Sequence, residues 1–101
     1  MAQLSTLGIV RMARTLKVYL IAPTPDLVHQ WRNFGEEVYR ALREECEVCI
    51  DEIDASTSEF FVRGIHKREL RTTAATVRKI AEKNLMSQII SVTEIADDHD
   101  A

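Results

Sequence analysis

The apolar positions of this chain switch between alternating and helical spacing, and each switch marks an element. The first run, Leu16-Lys17-Val18-Tyr19-Leu20-Ile21-Ala22, is short and rich in β-branched and aromatic residues, and Pro23 stops it. It predicts a strand. Thr24 and Pro25 then predict a helix start. Threonine is a good N-cap, and proline at the first helical position gives up an N–H that has no helical partner there. Asp26 adds a negative charge near the positive end of the helix dipole. The helix is expected from Pro25 to about Glu45. At about 100° per residue, Leu27, Trp31, Phe34, Val38, Ala41 and Leu42 share one face. Arg32, Glu36, Arg40 and Glu44 recur on the opposite side, as a solvated face does. Gly35, at the border of the apolar face, suggests a close approach or room for the Trp31 ring.

Alternation returns at Cys46 and predicts a second strand to about Asp54. Cys46, Val48 and Ile50 would lie on one face, with Glu47, Cys49 and Asp51 on the other. Ala55–Ser58 reads as a loop. Glu59-Phe60-Phe61-Val62-Arg63 reads as a third strand ending at Gly64, and the two strands are spaced for a hairpin. Lys67 to Lys83 follows with a helical stripe of Leu70, Ala74, Val77 and Ala81, flanked by Thr73 and Ile80. Asn84 ends it. Gln88 to Ile95 predicts a last strand, with Ile90 and Val92 on one face and Ile89 and Ile95 on the other. Residues 1–13 carry no cap or turn signal and are expected as a flexible tail, with Met12 as an alternative start. Residues 14–96 are expected as one domain, and 97–101 as an acidic tail.

The predicted order is β-α-β-β-α-β. Its simplest packing is an α+β ferredoxin-like plait, an antiparallel sheet with two helices on one face and the first and third strands in the centre. The rival is a three-stranded α/β sheet in which Ser58–Lys83 is one long broken helix. Gly64 and the Phe-Phe-Val cluster argue against it. A thioredoxin-like start is also conceivable, but both prolines sit at the first turn and no later proline supports it.

Composition narrows the function classes. At 101 residues the chain holds one modest core, and its apolar fraction of 46% is that of a globular protein. No apolar run approaches the roughly 18 residues that span a bilayer, so no membrane partner is expected. The net charge of −3 argues against bulk electrostatic attraction to nucleic acid. Two cysteines form no secreted disulfide framework, which points to a cytoplasmic protein.

Charge is nevertheless unevenly distributed. Glu36 to Glu59 is strongly acidic, with only Arg40 and Arg43 as cations. Arg63 to Lys83 then holds Arg63, Lys67, Arg68, Arg71, Arg78, Lys79 and Lys83 against Glu69 and Glu82. This basic run would meet phosphates, neutralise the acidic stretch within one copy or across a dimer, or form a solvated helix face. Phe60-Phe61-Val62-Arg63 lacks the glycine–aromatic signature of RNA-binding sheets.

Other chemistry is sparse. Cys46 and Cys49 have redox or metal half-site spacing. However, on a strand they point to opposite faces, away from a helix N-terminus, so they read as small apolar residues. His29, His66 and His99 have no ligand spacing, and Asp97, Asp98, His99 and Asp100 read as a solvated end. Glu52 and Asp54 share a strand face, which permits an acid–base pair but does not require one. Phosphate-loop, nucleophile-elbow and zinc-helix motifs are missing, as are those of acylphosphatases and cofactor-free monooxygenases. No metal or cofactor is expected.

These features lead to a small binding or regulatory module, leaning to non-enzymatic. It is expected to act through homodimerisation on a sheet face carrying Tyr19, Phe61, Ile89 and Ile95, and through binding of a protein or small-molecule ligand. The alternative is nucleic-acid or partner binding through Arg63, Lys67, Arg71, Arg78, Lys79 and Lys83. A third class is a cofactor-free small-molecule enzyme using a cleft between sheet and helices.

Overall fold

The computed structural model describes residues 13–49 and 58–95. The architecture is α+β, with four antiparallel strands in one sheet and two helices. In chain order the elements are β1 (Ala13–Leu20), α1 (Val28–Leu42), β2 (Glu47–Cys49), β3 (Glu59–His66), α2 (Leu70–Lys83) and β4 (Ile90–Ile95). The sheet order is β2-β3-β1-β4, so β1 and β3 are central and β2 and β4 are the edges. Ser58 to Lys83 is therefore a strand followed by a helix, not one broken helix.

Strand alternation sorts the sheet into two faces. Leu16, Val18 and Leu20 of β1 point to the core beside Phe60 and Val62 of β3. On the other side Val18 pairs with Val92 and Leu20 with Ile90. Both helices bury their apolar stripes in the same cluster, Trp31, Phe34, Val38 and Leu42 from α1 and Ala74, Val77, Ile80 and Ala81 from α2. At its centre Trp31, Phe34 and Phe60 stack at tilted angles, with ring centroids 5.3–5.7 Å apart. The Trp31 Nε1–H is buried there and has no hydrogen-bond partner among the described residues. Gly35 is buried in the α1 stripe, while Ala41, expected on that face, is exposed.

Element boundaries differ from expectation for local reasons. β1 begins at Ala13, earlier than Leu16, because Ala13 and Arg14 pair with His66 and Ile65. It ends at Leu20, before the turn to Pro23. The first helix opens as a 3-10 turn over Pro25–Leu27. Thr24 is extended, as an N-cap should be, but its side chain makes no cap bond. Its carbonyl instead accepts from Leu27 N at 3.1 Å. Ile89 lies in the turn before β4 and packs against the core. The predicted Cys46–Asp54 strand is seen over Glu47–Cys49, and Ile50, Ile53 and the 55–57 loop lie outside the described residues.

The third strand does not stop at Gly64. It runs on to His66 through a β-bulge. Arg14 faces Ile65 and Leu16 faces Val62, so two steps on β1 match three on β3. Gly64 takes up the extra residue at φ +72°, where an L side chain is strained. The inserted residue reverses the alternation. Arg63 and Gly64 are both exposed, and Ile65 returns to the core, fully buried.

The helix 2 exit carries the same backbone signature without glycine. Leu85 N donates to Glu82 O at 3.0 Å, and Met86 N donates to Ala81 O at 2.8 Å. This is a Schellman cap with Leu85 at φ 60°. Met86 is fully buried just beyond it, and Leu85 is 85% exposed.

Candidate functional site

A groove of about 670 Å³ lies on the helix side of the sheet, between the first turns of α2 and the ends of β1 and β4. Leu16, Leu70, Ala74 and Val92 make its apolar floor. Its rim carries Arg14, Lys67, Arg68, Arg71 and Arg78, against one acid, Glu94. A smaller extension of about 200 Å³ shares Arg78 and Val92 and runs on past Ala81 and Ile90.

Each cation reaches the rim for a structural reason. Lys67 and Arg68 sit in a 3-10 turn that follows β3 directly, so the Gly64 bulge sets their direction. The exposed His66 holds that turn, its Nδ1 accepting from Arg68 N at 3.3 Å. Arg71 and Arg78 are about two helical turns apart on α2 and so lie on one side of the helix. Arg14 arrives from β1, and the sheet register brings it to Glu94, with Nε–Oε2 at 3.4 Å. Glu94 is thus already engaged. Lys67, Arg68, Arg71 and Arg78 form no ion pair among the described residues. The rim is therefore positive in an otherwise acidic chain.

The basic residues expected to act together do not share one surface. Lys67, Arg71 and Arg78 are in the groove, and Lys79 is exposed on α2 outside its lining. Lys83 is spent on α1, its Nζ donating to Glu37 Oε2 at 2.8 Å. Asn84 adds a second bond to Glu37 at 3.2 Å, while Gln30 Nε2 donates to Asn84 O at 2.8 Å. The Lys83 bond first and the Asn84 bond second hold the Glu37 carboxyl below the usual range. Arg63 is on the opposite face of the sheet, its guanidinium 4.9 Å from the centre of the Phe61 ring. Sequence reasoning passed over Arg14, which stands alone before a strand. Only the pairing of β1 with β4 reveals it.

Among the described residues no helix covers that opposite sheet face. Register places Thr15, Lys17 and Tyr19 on it, with Phe61 from β3 and Ser91, Thr93 and Ile95 from β4. Tyr19, Phe61 and Ile95 are half-buried there. Lys17 lies 5.1 Å from the Tyr19 ring centre and pairs with Glu59 at 3.3 Å. Hydrogen bonds with Ser91 and then Thr93, followed by the charge of Lys17, hold the Tyr19 phenol below its ordinary value.

The remaining candidates contribute little. Cys46 is a free, half-buried thiol against the core. Burial, then Glu45 and Glu69, pushes its pKa up, away from a nucleophilic thiolate. His29 is exposed on α1. Glu52, Asp54 and the 97–100 acidic group with His99 lie outside the described residues. Among the described residues no His, Cys, Asp and Glu cluster is placed to hold a metal, and no helix is long and apolar enough to cross a membrane. Compared with known proteins, the chain matches no family model, no curated protein and no solved structure.

Proposed function

We propose that this chain is a non-enzymatic binding module that holds an anionic partner in the groove between α2 and β4. One observation carries the reading: four cations, Lys67, Arg68, Arg71 and Arg78, converge on an apolar-floored groove whose single acid is engaged by Arg14. Like charges crowded in this way repel one another, and an incoming anion relieves that repulsion while the cleft walls focus the field. Among the described residues the groove lining holds no nucleophile beside a base, and its polar groups are nearly all cations, which suits binding an anion better than catalysis. The fold reading that goes with it is a ferredoxin-like plait. The order β2-β3-β1-β4, with β1 and β3 central and one core shared by both helices, supports that. A cytoplasmic setting fits the free Cys46 thiol.

The test is a backbone NMR titration with inorganic pyrophosphate and, separately, a single-stranded oligonucleotide, at low and moderate salt. Salt-sensitive shifts centred on Leu70, Arg71, Ala74 and Arg78 are expected. A flat titration with both anions overturns the reading.

A second reading, homodimerisation, has its own observation. Tyr19, Phe61 and Ile95 lie together on the sheet face that no helix among the described residues covers. Sedimentation of the free protein tests it. A dimer that dissociates on Phe61→Glu supports it, and a monomer at high concentration removes it.

A further inference from the structure

The groove has an open sheet edge along its side. β4 is an edge strand, and among the described residues nothing pairs with its outer side. The pairing pattern shows which of its backbone groups are unused. Ile21 N donates to Ile89 O at 2.9 Å, so this pair is hydrogen-bonded. In an antiparallel ladder hydrogen-bonded pairs alternate, so Tyr19–Ser91, Lys17–Thr93 and Thr15–Ile95 are the bonded ones. The N–H and C=O groups of Ile90, Val92 and Glu94 therefore point outward from the sheet. The side chains of these same residues face the helix side, and all three line the groove or its extension.

We propose that the outer edge of β4 and the basic groove together take up an extended acidic peptide segment as a fifth strand. This rests on the anion-binding reading above and names its partner. The open edge supplies backbone hydrogen bonds, and alternate side chains of the added strand point to the groove, where Arg71 and Arg78 meet carboxylates. The same alternation brings Val92 and the Leu70–Ala74 floor against their methylenes. A nucleic acid strand fits less well. The groove lining contains no aromatic side chain on which bases stack, because Tyr19 and Phe61 are on the other face. A bare phosphate would leave the β4 edge unused.

The probe is a capped peptide of about seven residues alternating Glu and Val, long enough to span β4 at about 3.3 Å per residue. The readout is amide hydrogen exchange of the full chain. On binding, the amides of Ile90, Val92 and Glu94 gain protection, while those of Ser91, Thr93 and Ile95 change little. Three controls are expected to weaken binding by roughly tenfold or more: Lys in place of Glu in the peptide, N-methylation at its alternate amides, and Arg71→Glu with Arg78→Glu in the protein. Both arginines are exposed, and far-UV circular dichroism checks that the double variant is folded. Binding of the N-methylated peptide at full strength overturns strand addition. Pyrophosphate or oligonucleotide shifts in the groove with no peptide-induced protection on β4 also overturn it, and leave the anion-binding reading standing. Silence toward all three probes removes both.

Discussion

Gly64→Ala tests the bulge on which both the core phase and the basic rim depend. The cost can be worked from the backbone alone. A Cβ built on Gly64 meets nothing closer than Glu47 N at 4.0 Å, an ordinary contact, so steric clash adds nothing. What remains is the left-handed conformation at φ +72°. For an L residue it costs about 1–2 kcal/mol. Alanine recovers about 0.5–1 kcal/mol of that because its unfolded chain is less free than glycine's. The net loss is therefore about 1 kcal/mol, which lowers the melting temperature of a domain this size by about 4–8 °C. Urea denaturation should show a lower midpoint at unchanged slope. The order of substitutions is more diagnostic than any one value. Asparagine tolerates this conformation and should cost less than alanine, while β-branched valine should cost more. Straightening β3 with Gly64 retained is harsher. It would turn Ile65, now fully buried, to the open face, at about 1.5–3 kcal/mol for the isoleucine alone. Deleting Gly64 instead removes the extra residue and leaves Ile65 opposite Arg14 and in the core. Alanine equal to glycine, with asparagine no better than alanine, would refute the argument. It would mean that β3 pairs with β1 without the bulge.

Leu85→Gly should act in the opposite direction. Leu85 pays the left-handed cost at a helix cap and is 85% exposed, so glycine there is expected to raise stability by about 0.5–1 kcal/mol, read from the urea midpoint. Phe60→Ala removes a fully buried ring packed on both Trp31 and Phe34, and a loss of about 3–5 kcal/mol is expected, with collapse of the near-ultraviolet dichroism of Trp31. The lowered pKa of Glu37 makes its bonds to Lys83 and Asn84 a source of stability above the ordinary carboxylate range. That stability is lost as pH falls from about 4.3 through the folded value. Glu37→Gln should therefore flatten the acid limb of a stability–pH curve, and an unchanged limb would count against the contact.

Much of the architecture was legible because it is local. Period-two and helical spacing are written in neighbouring residues, so the β-α-β-β-α-β order and the stripes of Trp31-Phe34-Val38 and Ala74-Val77-Ala81 could be read directly. Proline at the first turn and Asn84 at the exit also marked the helix ends from short-range chemistry. The errors fell where local rules compete. Gly64 reads equally as a strand end or as a bulge, and only pairing with β1 makes it a bulge. Ala41 satisfies the helical period but is exposed in the last turn of α1.

The site was legible only in part, since a basic run is visible in sequence while its surface is not. Lys67, Arg71 and Arg78 face one groove by helical spacing. Alternation from Val62 puts Arg63 beside Phe61 on the other side of the sheet, Glu37 of a distant helix engages Lys83, and Arg14 joins through the register that sets it beside Glu94. Sequence by itself determined which segments become strands and helices, because those preferences act within a few residues. Strand order, register and the face each charge occupies were decided by tertiary structure, because they depend on contacts between segments tens of residues apart.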